Sequence, residues 1–215
     1  NEGEKLGYKM QFKTLYGPDY GIPQIRKRVF FVGTKKNNYF FPEPSHSESN
    51  YVTCGDAISD LHDFNGLELG TEESEYMNEP ESQYQKTMRK NSKQLLNHVG
   101  TKHKDHVIEV IRQVPEGGNH KDLPKGVGES RKFNEAWTRY HRNSPSKTID
   151  TGHRNHFHYK YHRVPTVREN ARLQSFPDVF RFFGNKTDQN RQVGNAVPPL
   201  FGMHISKSIT EYLKK

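Results

Sequence analysis

The sequence has little of the material from which compact enzymes are usually built. Of its 215 residues only 31% are apolar, and the mean hydropathy is −1.04, so core-forming side chains are scarce relative to average globular usage. Its one cysteine, Cys54, excludes an internal disulfide and a cysteine-rich zinc site, and packing must hold the fold together. No run approaches the ~18 to 20 consecutive apolar residues needed to cross a bilayer. The N-terminus also lacks the charged, apolar and small-residue regions of a signal peptide, and the expected location is the cytoplasm. The chain opens on Asn1, with its first methionine at Met10, which reads as a processed, split or truncated product. The length fits one ordinary domain or two small ones.

What is abundant is charge, distributed unevenly. The net charge is +8, but residues 1–81 hold 8 Lys+Arg against 14 Asp+Glu, a net −6, and residues 82–215 hold 25 against 11, a net +14. The basic part interleaves arginine and lysine with Tyr, Phe, His and Asn, the footprint of a phosphate-binding surface. A solvated basic face is the bland alternative.

Alternation predicts a strand over 7–16, broken by Gly17-Pro18-Asp19, and a second, buried strand over 28–33. Gln24, Arg26 and Arg28, two apart, project from one face of an extended chain and can converge on one ligand; an exposed polar strand edge is the alternative. The prolines of 41–44 read as a linker, residues 56–61 as a short helix, and the glutamate-rich stretch 66–81 as a mobile, solvated insertion. Val107, Ile108, Ile111 and Val114 form a helical stripe ending before Pro115. Residues 117–162 are basic, aromatic and loop-rich. Thr166-Val167-Arg168-Glu169 has the capping-box form, and Pro198-Pro199 open an amphipathic terminal helix through Leu213.

Three blocks then carry a resemblance. Gln24-Ile25-Arg26-Lys27-Arg28 resembles the Gln-x-Arg-x-Arg block of DNA (cytosine-5) methyltransferases. Thr166 to Asp178 is similar to that family's penultimate block, and Arg191-Gln192-Val193-Gly194-Asn195-Ala196-Val197-Pro198-Pro199 to its last. The order matches, and the variable middle falls where the family carries its target recognition domain. The resemblance implies an α/β fragment of a methyltransferase. Residues 1–41 would give strands of the catalytic sheet, 42–165 an irregular target recognition domain, and 166–215 helices returning to the catalytic domain. It implies S-adenosylmethionine as cofactor, double-stranded DNA as partner and a restriction-modification role in a bacterial or phage-type cytosol.

The family's glycine-rich cofactor block, Pro-Cys nucleophile and Glu-Asn-Val block are absent from these 215 residues. Cys54 lies in Thr-Cys-Gly-Asp, downstream of the arginine block and without a preceding proline; it reads as an inert structural thiol. The expected function is therefore DNA recognition and completion of the base pocket, with the nucleophile supplied by a missing half in cis or on a second chain. A natural noncatalytic specificity subunit is the alternative. By resemblance, Arg28 contacts O2 of the flipped cytosine, and Arg26 and Gln24 brace the catalytic loop or a phosphate. Asn195, Ala196 and Val197 line one wall of the cofactor pocket, and Arg168 and Glu169 orient the recognition domain. Asn119, Trp137, Arg139, Tyr140, Arg142 and Arg154 are the candidate DNA contacts, because amides and guanidinium groups read base edges and aromatic rings wedge or stack. The histidines around 153–162 have spacings that zinc sites and His-Asn-His nucleases also use, but no carboxylate motif accompanies them, and the reading assigns no metal.

Overall fold

The computed structural model describes residues 2–64, 69–127, 135–152 and 155–214. In chain order it contains α1 (Glu2–Lys5), β1 (Lys9–Tyr16), β2 (Lys27–Thr34), α2 (Cys54–Ile58), β3 (Glu73–Ser74), α3 (Gln83–Arg89) and β4 (Leu95–Leu96). There follow α4 (Asp105–Gln113), β5 (Thr138–Arg139), β6 (His156–Phe157), α5 (Val167–Leu173), α6 (Lys186–Asn195) and α7 (Pro199–Leu213). The architecture is mixed α/β, with helices around three two-stranded sheets among the described residues. No described helix is long and apolar enough to cross a membrane.

β1 and β2 pair antiparallel with Phe12 opposite Phe31 and Leu15 opposite Arg28. Strand alternation gives this hairpin two faces. One packs Leu15 and Phe30 onto Phe201 of α7; the other leaves Phe12, Val29 and Phe31 exposed. α7 starts at Pro199, where a missing N–H costs nothing.

A larger cluster joins Cys54, Ala57 and Ile58 of α2 to Val167, Ala171 and Leu173 of α5, with Tyr140, Ile149, Phe182 and Val193. Residues on both sides of position 165 thus share one core. A third cluster sets Ile111 and Val114 of α4 against Phe157 and Val164. Cys54 is fully buried here, and desolvation pushes its thiol far above the ordinary value.

The described part of the acidic stretch does more than solvate the chain. Glu72 accepts from Asn97 Nδ2 (2.7 Å) and Gln189 Nε2 (3.2 Å), Glu73 pairs with Arg181, and Glu81 accepts from the Ser59 hydroxyl (2.8 Å). Partners from 59, 97, 181 and 189 turn these carboxylates into ties between segments. Glu68 lies outside the described residues.

Candidate functional site

The three sequence blocks converge on one buried polar node. Gln24 and Arg26 are almost fully enclosed (0% and 2% exposed). The Gln24 amide donates to Gln174 Oε1 (2.6 Å) and to the Leu173 carbonyl (3.3 Å), while its oxygen accepts from Arg26 Nη1 and Ile149 N (both 3.2 Å). Arg26 Nη2 reaches the carbonyls of Gly194 (2.8 Å) and Ala196 (3.3 Å), and Nη1 that of Ile149 (3.3 Å). Gln174 closes the ring, donating to the carbonyls of Val193 (3.0 Å) and Ala196 (2.9 Å). No described carboxylate pairs with Arg26. Burial, and then the charge of Arg28, lower its pKa to about 10. Arg26 and Gln174 thus grip the end of α6 and its cap, residues 193–196, from inside the protein, and Gln24 ties the two gripping side chains together.

Arg28 differs. It is half-buried, its Nη1 donates to the Lys27 carbonyl (2.7 Å), and it enters none of the described ion pairs. The node two residues upstream fixes the backbone from which it projects.

The turn that the node grips also crosses another segment. A Cβ at Gly194 would lie 2.3 Å from the Asp150 carbonyl oxygen, a separation that only glycine avoids. The turn leaves Asn195 exposed, Ala196 half-buried and Val197 51% exposed, on a backbone held from beneath by Arg26 and Gln174.

Arg168 and Glu169 lie inside α5, both at 0% exposure. Arg168 donates to the carbonyls of Leu96 (2.7 Å), Pro177 (3.2 Å) and Phe180 (2.5 Å), tying the variable middle to the last 50 residues. Glu169 completes the capping box with Thr166 (Thr166 N to Oε2, 2.8 Å; Glu169 N to Oγ1, 3.1 Å). It also takes a two-pronged ion pair from Arg163 at 2.7 and 2.8 Å. Burial alone would raise its pKa; the Arg163 guanidinium reverses this and holds the carboxyl far below the usual range. Arg172, gripping Asp178 (2.7 and 2.9 Å) and Asp60 (2.6 Å), is a third buried charge that sequence reasoning missed. Its partner Asp60 lies 112 positions away.

The candidate DNA contacts separate. Arg139 and Tyr140 are buried (3% and 2%). The Arg139 guanidinium is committed to the carbonyls of Val114 (2.6 Å), Ile111 and His158, and the Tyr140 hydroxyl to Asn170. Both therefore build the interior, a correction forced by the need of buried polar groups for partners. Arg142 is exposed and forms a fork with Glu116 (3.0 Å). Asn119 caps the turn at 120–122, and Trp137 is half-buried. Arg154 and His153 lie outside the described residues. His158 Nδ1 accepts from Lys160 N and Tyr161 N (3.0 and 3.1 Å), and His156 stacks on Tyr140. Among the described residues no group of three His, Cys, Asp or Glu could hold a metal ion.

These features define an α/β protein of methyltransferase type. The chain resembles a prophage-encoded E. coli protein described as a DNA modification methyltransferase (TM-score 0.76, 25% identity), which covers 98% of this chain and 62% of that one. Residues 1–211 match the C-5 cytosine-specific DNA methylase family, and the chain belongs to it. Its relatives include the type II methyltransferases M1.HphI of Haemophilus parahaemolyticus (38% identical) and M.NgoFVII of Neisseria gonorrhoeae (34% identical). Each aligns with 96% of this chain but with only 49% and 51% of its own length. The chain thus spans about half the length of these curated relatives.

Proposed function

We infer that this chain supplies the DNA-recognition and base-pocket half of a DNA cytosine-5 methyltransferase of restriction-modification type, with the nucleophile on the remaining half. The observation that carries the reading is the Gln24–Arg26–Gln174 node. It joins the arginine block to the 193–196 turn and leaves Arg28 without a described ion-pair partner.

Methylation at C5 of cytosine requires attack at C6 of a weakly electrophilic ring flipped out of the duplex. The charge that develops is offset by donors already aimed at it, which need no reorganisation. A guanidinium suits that task, because it stays charged and its planar fork satisfies an acceptor such as O2. Arg28 fills this role, and Gln24 and Arg26 are positioning residues. The 193–196 turn forms one wall of the S-adenosylmethionine pocket: exposed Asn195 offers an amide and exposed Val197 an apolar surface on a rigid backbone, which fits a ligand with polar and apolar parts. When bound, that cofactor supplies the methyl group. Double-stranded DNA meets the basic part of the chain, with Asn119, Trp137 and Arg142 as contacts, and Arg168 and Glu169 hold the recognition segment to the rest.

The chain alone is expected to transfer no labelled methyl group from S-adenosylmethionine to mixed duplex DNA; incorporation by the pure chain overturns the reading. Joined to a half that carries Pro-Cys, Arg28→Ala should depress turnover about 10²- to 10³-fold, the usual cost of one such electrostatic contact, while DNA affinity stays within about twofold. An unchanged rate removes Arg28 from the cytosine pocket.

A further inference from the structure

A groove of about 580 Å³ opens between the N-terminal half of α4 and the β5–β6 pair. Its floor is apolar, made by Ile111 and Phe157 of the third core cluster. Its rim is cationic. Lys102 and Lys104 are exposed while the flanking Thr101 and His103 are half-buried, so the two lysines leave one side of an irregular, extended segment. In such a segment they stand about 6.5 Å apart, close to two base-pair steps of 3.4 Å along a strand. Exposed His106 continues the rim. No described aspartate or glutamate lines the groove; Asp63 and Asp105 line an adjoining depression that shares Thr101, Lys102 and His103 with it.

Two side chains at the groove have directions fixed by the surrounding structure. Trp137 has φ 56°, in the left-handed region that a bulky residue enters only when its surroundings impose it. Its ring lies 6.4 Å from that of Phe157. Asn155 is exposed, and its Nδ2 donates to Asp150 Oδ2 at 2.5 Å. That bond sets the amide plane and turns the acceptor Oδ1 away from the carboxylate.

We propose that this groove is the sequence-reading surface for duplex DNA, with affinity and specificity divided between its two sides. Lys102 and Lys104 hold phosphates on the rim, whereas Trp137 and Asn155 meet base edges and determine the sequence selected. The inference rests on the DNA-recognition reading above and assigns the residues that carry it. Charge complementarity selects the occupant: a cationic, carboxylate-free rim around an apolar floor matches a polyanion whose bases present both apolar and hydrogen-bonding groups. Phosphate contacts carry no sequence information, and base-edge contacts do. An indole face suits the thymine methyl, and an amide oxygen accepts from the amino group of adenine or cytosine.

The test is selection from a pool of randomised duplex DNA by the 215-residue chain, with affinity for the pool followed by fluorescence anisotropy across a salt series. The native chain should enrich a motif. Lys102→Ala/Lys104→Ala should weaken binding at least tenfold and reduce the salt slope by about 2, with the same motif retained. Trp137→Ala and, at an exposed position, Asn155→Ala should change or relax the motif at one or two positions, with affinity for the pool within about threefold and the native circular dichroism spectrum retained. If the native chain binds and enriches a motif that Asn155→Ala and Trp137→Ala leave unchanged, or the double lysine variant binds as tightly as the native chain, the groove assignment is overturned and the general reading survives. If the native chain binds no duplex at low salt, both fall.

Discussion

Arg26 and Arg28 leave the same side of the segment entering β2, but only Arg26 reaches across the fold, to three carbonyls from residues 149, 194 and 196 and to Gln24 Oε1. Removing it takes the described donor from the carbonyls of Ile149 and Gly194, while Ala196 keeps Gln174 and Gln24 keeps Ile149 N; each buried acceptor costs about 1–3 kcal/mol when unpaired. Arg26→Met should therefore lower the unfolding free energy of the chain by roughly 3 kcal/mol, whereas Arg28→Met should stay within about 0.5 kcal/mol, as surface changes usually do. Urea denaturation of the two variants checks the contrast; equal losses would make Arg28 structural as well. The spacing of two in Gln24-x-Arg26-x-Arg28 was legible in the sequence, and the structure joins Gln24 to Arg26 directly. Its division into two buried braces and one half-exposed group was not, because the acceptors lie 123 to 170 positions away. Arg139 and Tyr140 failed as expected DNA contacts for a related reason: a basic or aromatic residue in a loop-rich stretch looks the same whether it faces solvent or anchors a small core.

At the scale of elements, α5 is the instructive case. Seven residues are too few for a helix to persist alone, and all seven of Val167–Leu173 are buried, three of them charged. The helix therefore depends on its cap and on ion pairs whose partners come from 60, 163 and 178. Two buried histidines flank the Arg163–Glu169 pair. His98 bonds Thr166 Oγ1 (3.0 Å) and the His62 carbonyl (2.9 Å), and His158 Nε2 lies 3.7 Å from Glu169. Burial lowers their pKa values to about 4 and about 3, despite the nearby carboxylate of Glu169. Folded values below the unfolded 6.5 mean that the unfolded chain binds protons first. The stability these groups contribute is complete above pH 6.5 and falls as pH drops from there. Glu169, also depressed, adds its own loss below about 4.5. Unfolding free energy should thus decline by up to about 2.7 kcal/mol per pH unit below 6.5 from the two histidines, and His98→Asn/His158→Asn should flatten the profile between 6.5 and 4.5. Denaturant titrations at stepped pH measure this; parallel profiles would refute it. The cap of α5 could be read from Thr166-x-x-Glu169, and the stripes of α4 and α7 from their periodicity. α6 could not, since Val193 is its only large apolar residue and its helix is set by the Asn185 cap and by packing on the shared core. α3 was missed because seven residues with Tyr84 and Met88 as anchors give too short a repeat.

On the scale of the whole molecule, the hairpin has one satisfied face and one bare one. Phe12 and Phe31 are opposite in register, with ring centroids 5.8 Å apart and exposures of 71% and 69%, and Val29 beside them is 50% exposed. A two-stranded sheet is marginal by itself, and a contiguous apolar patch of this kind marks a contact surface. The curated relatives carry about as much chain again beyond the aligned part, and that remainder is the expected cover. The sequence placed apolar side chains on both faces of β2 but could not say which face lay against α7. Burying one phenylalanine is worth roughly 1.5–3 kcal/mol, so Phe12→Ser/Phe31→Ser should weaken association with a separately expressed catalytic half at least a hundredfold. The groove proposed to read DNA uses none of these residues, so the double variant should bind duplex DNA as the native chain does. Sedimentation velocity with and without the catalytic half, together with anisotropy on duplex DNA, separates the effects. If association with the catalytic half is unchanged while DNA binding is lost, the bare face belongs to nucleic acid and the two surfaces have been assigned the wrong way round.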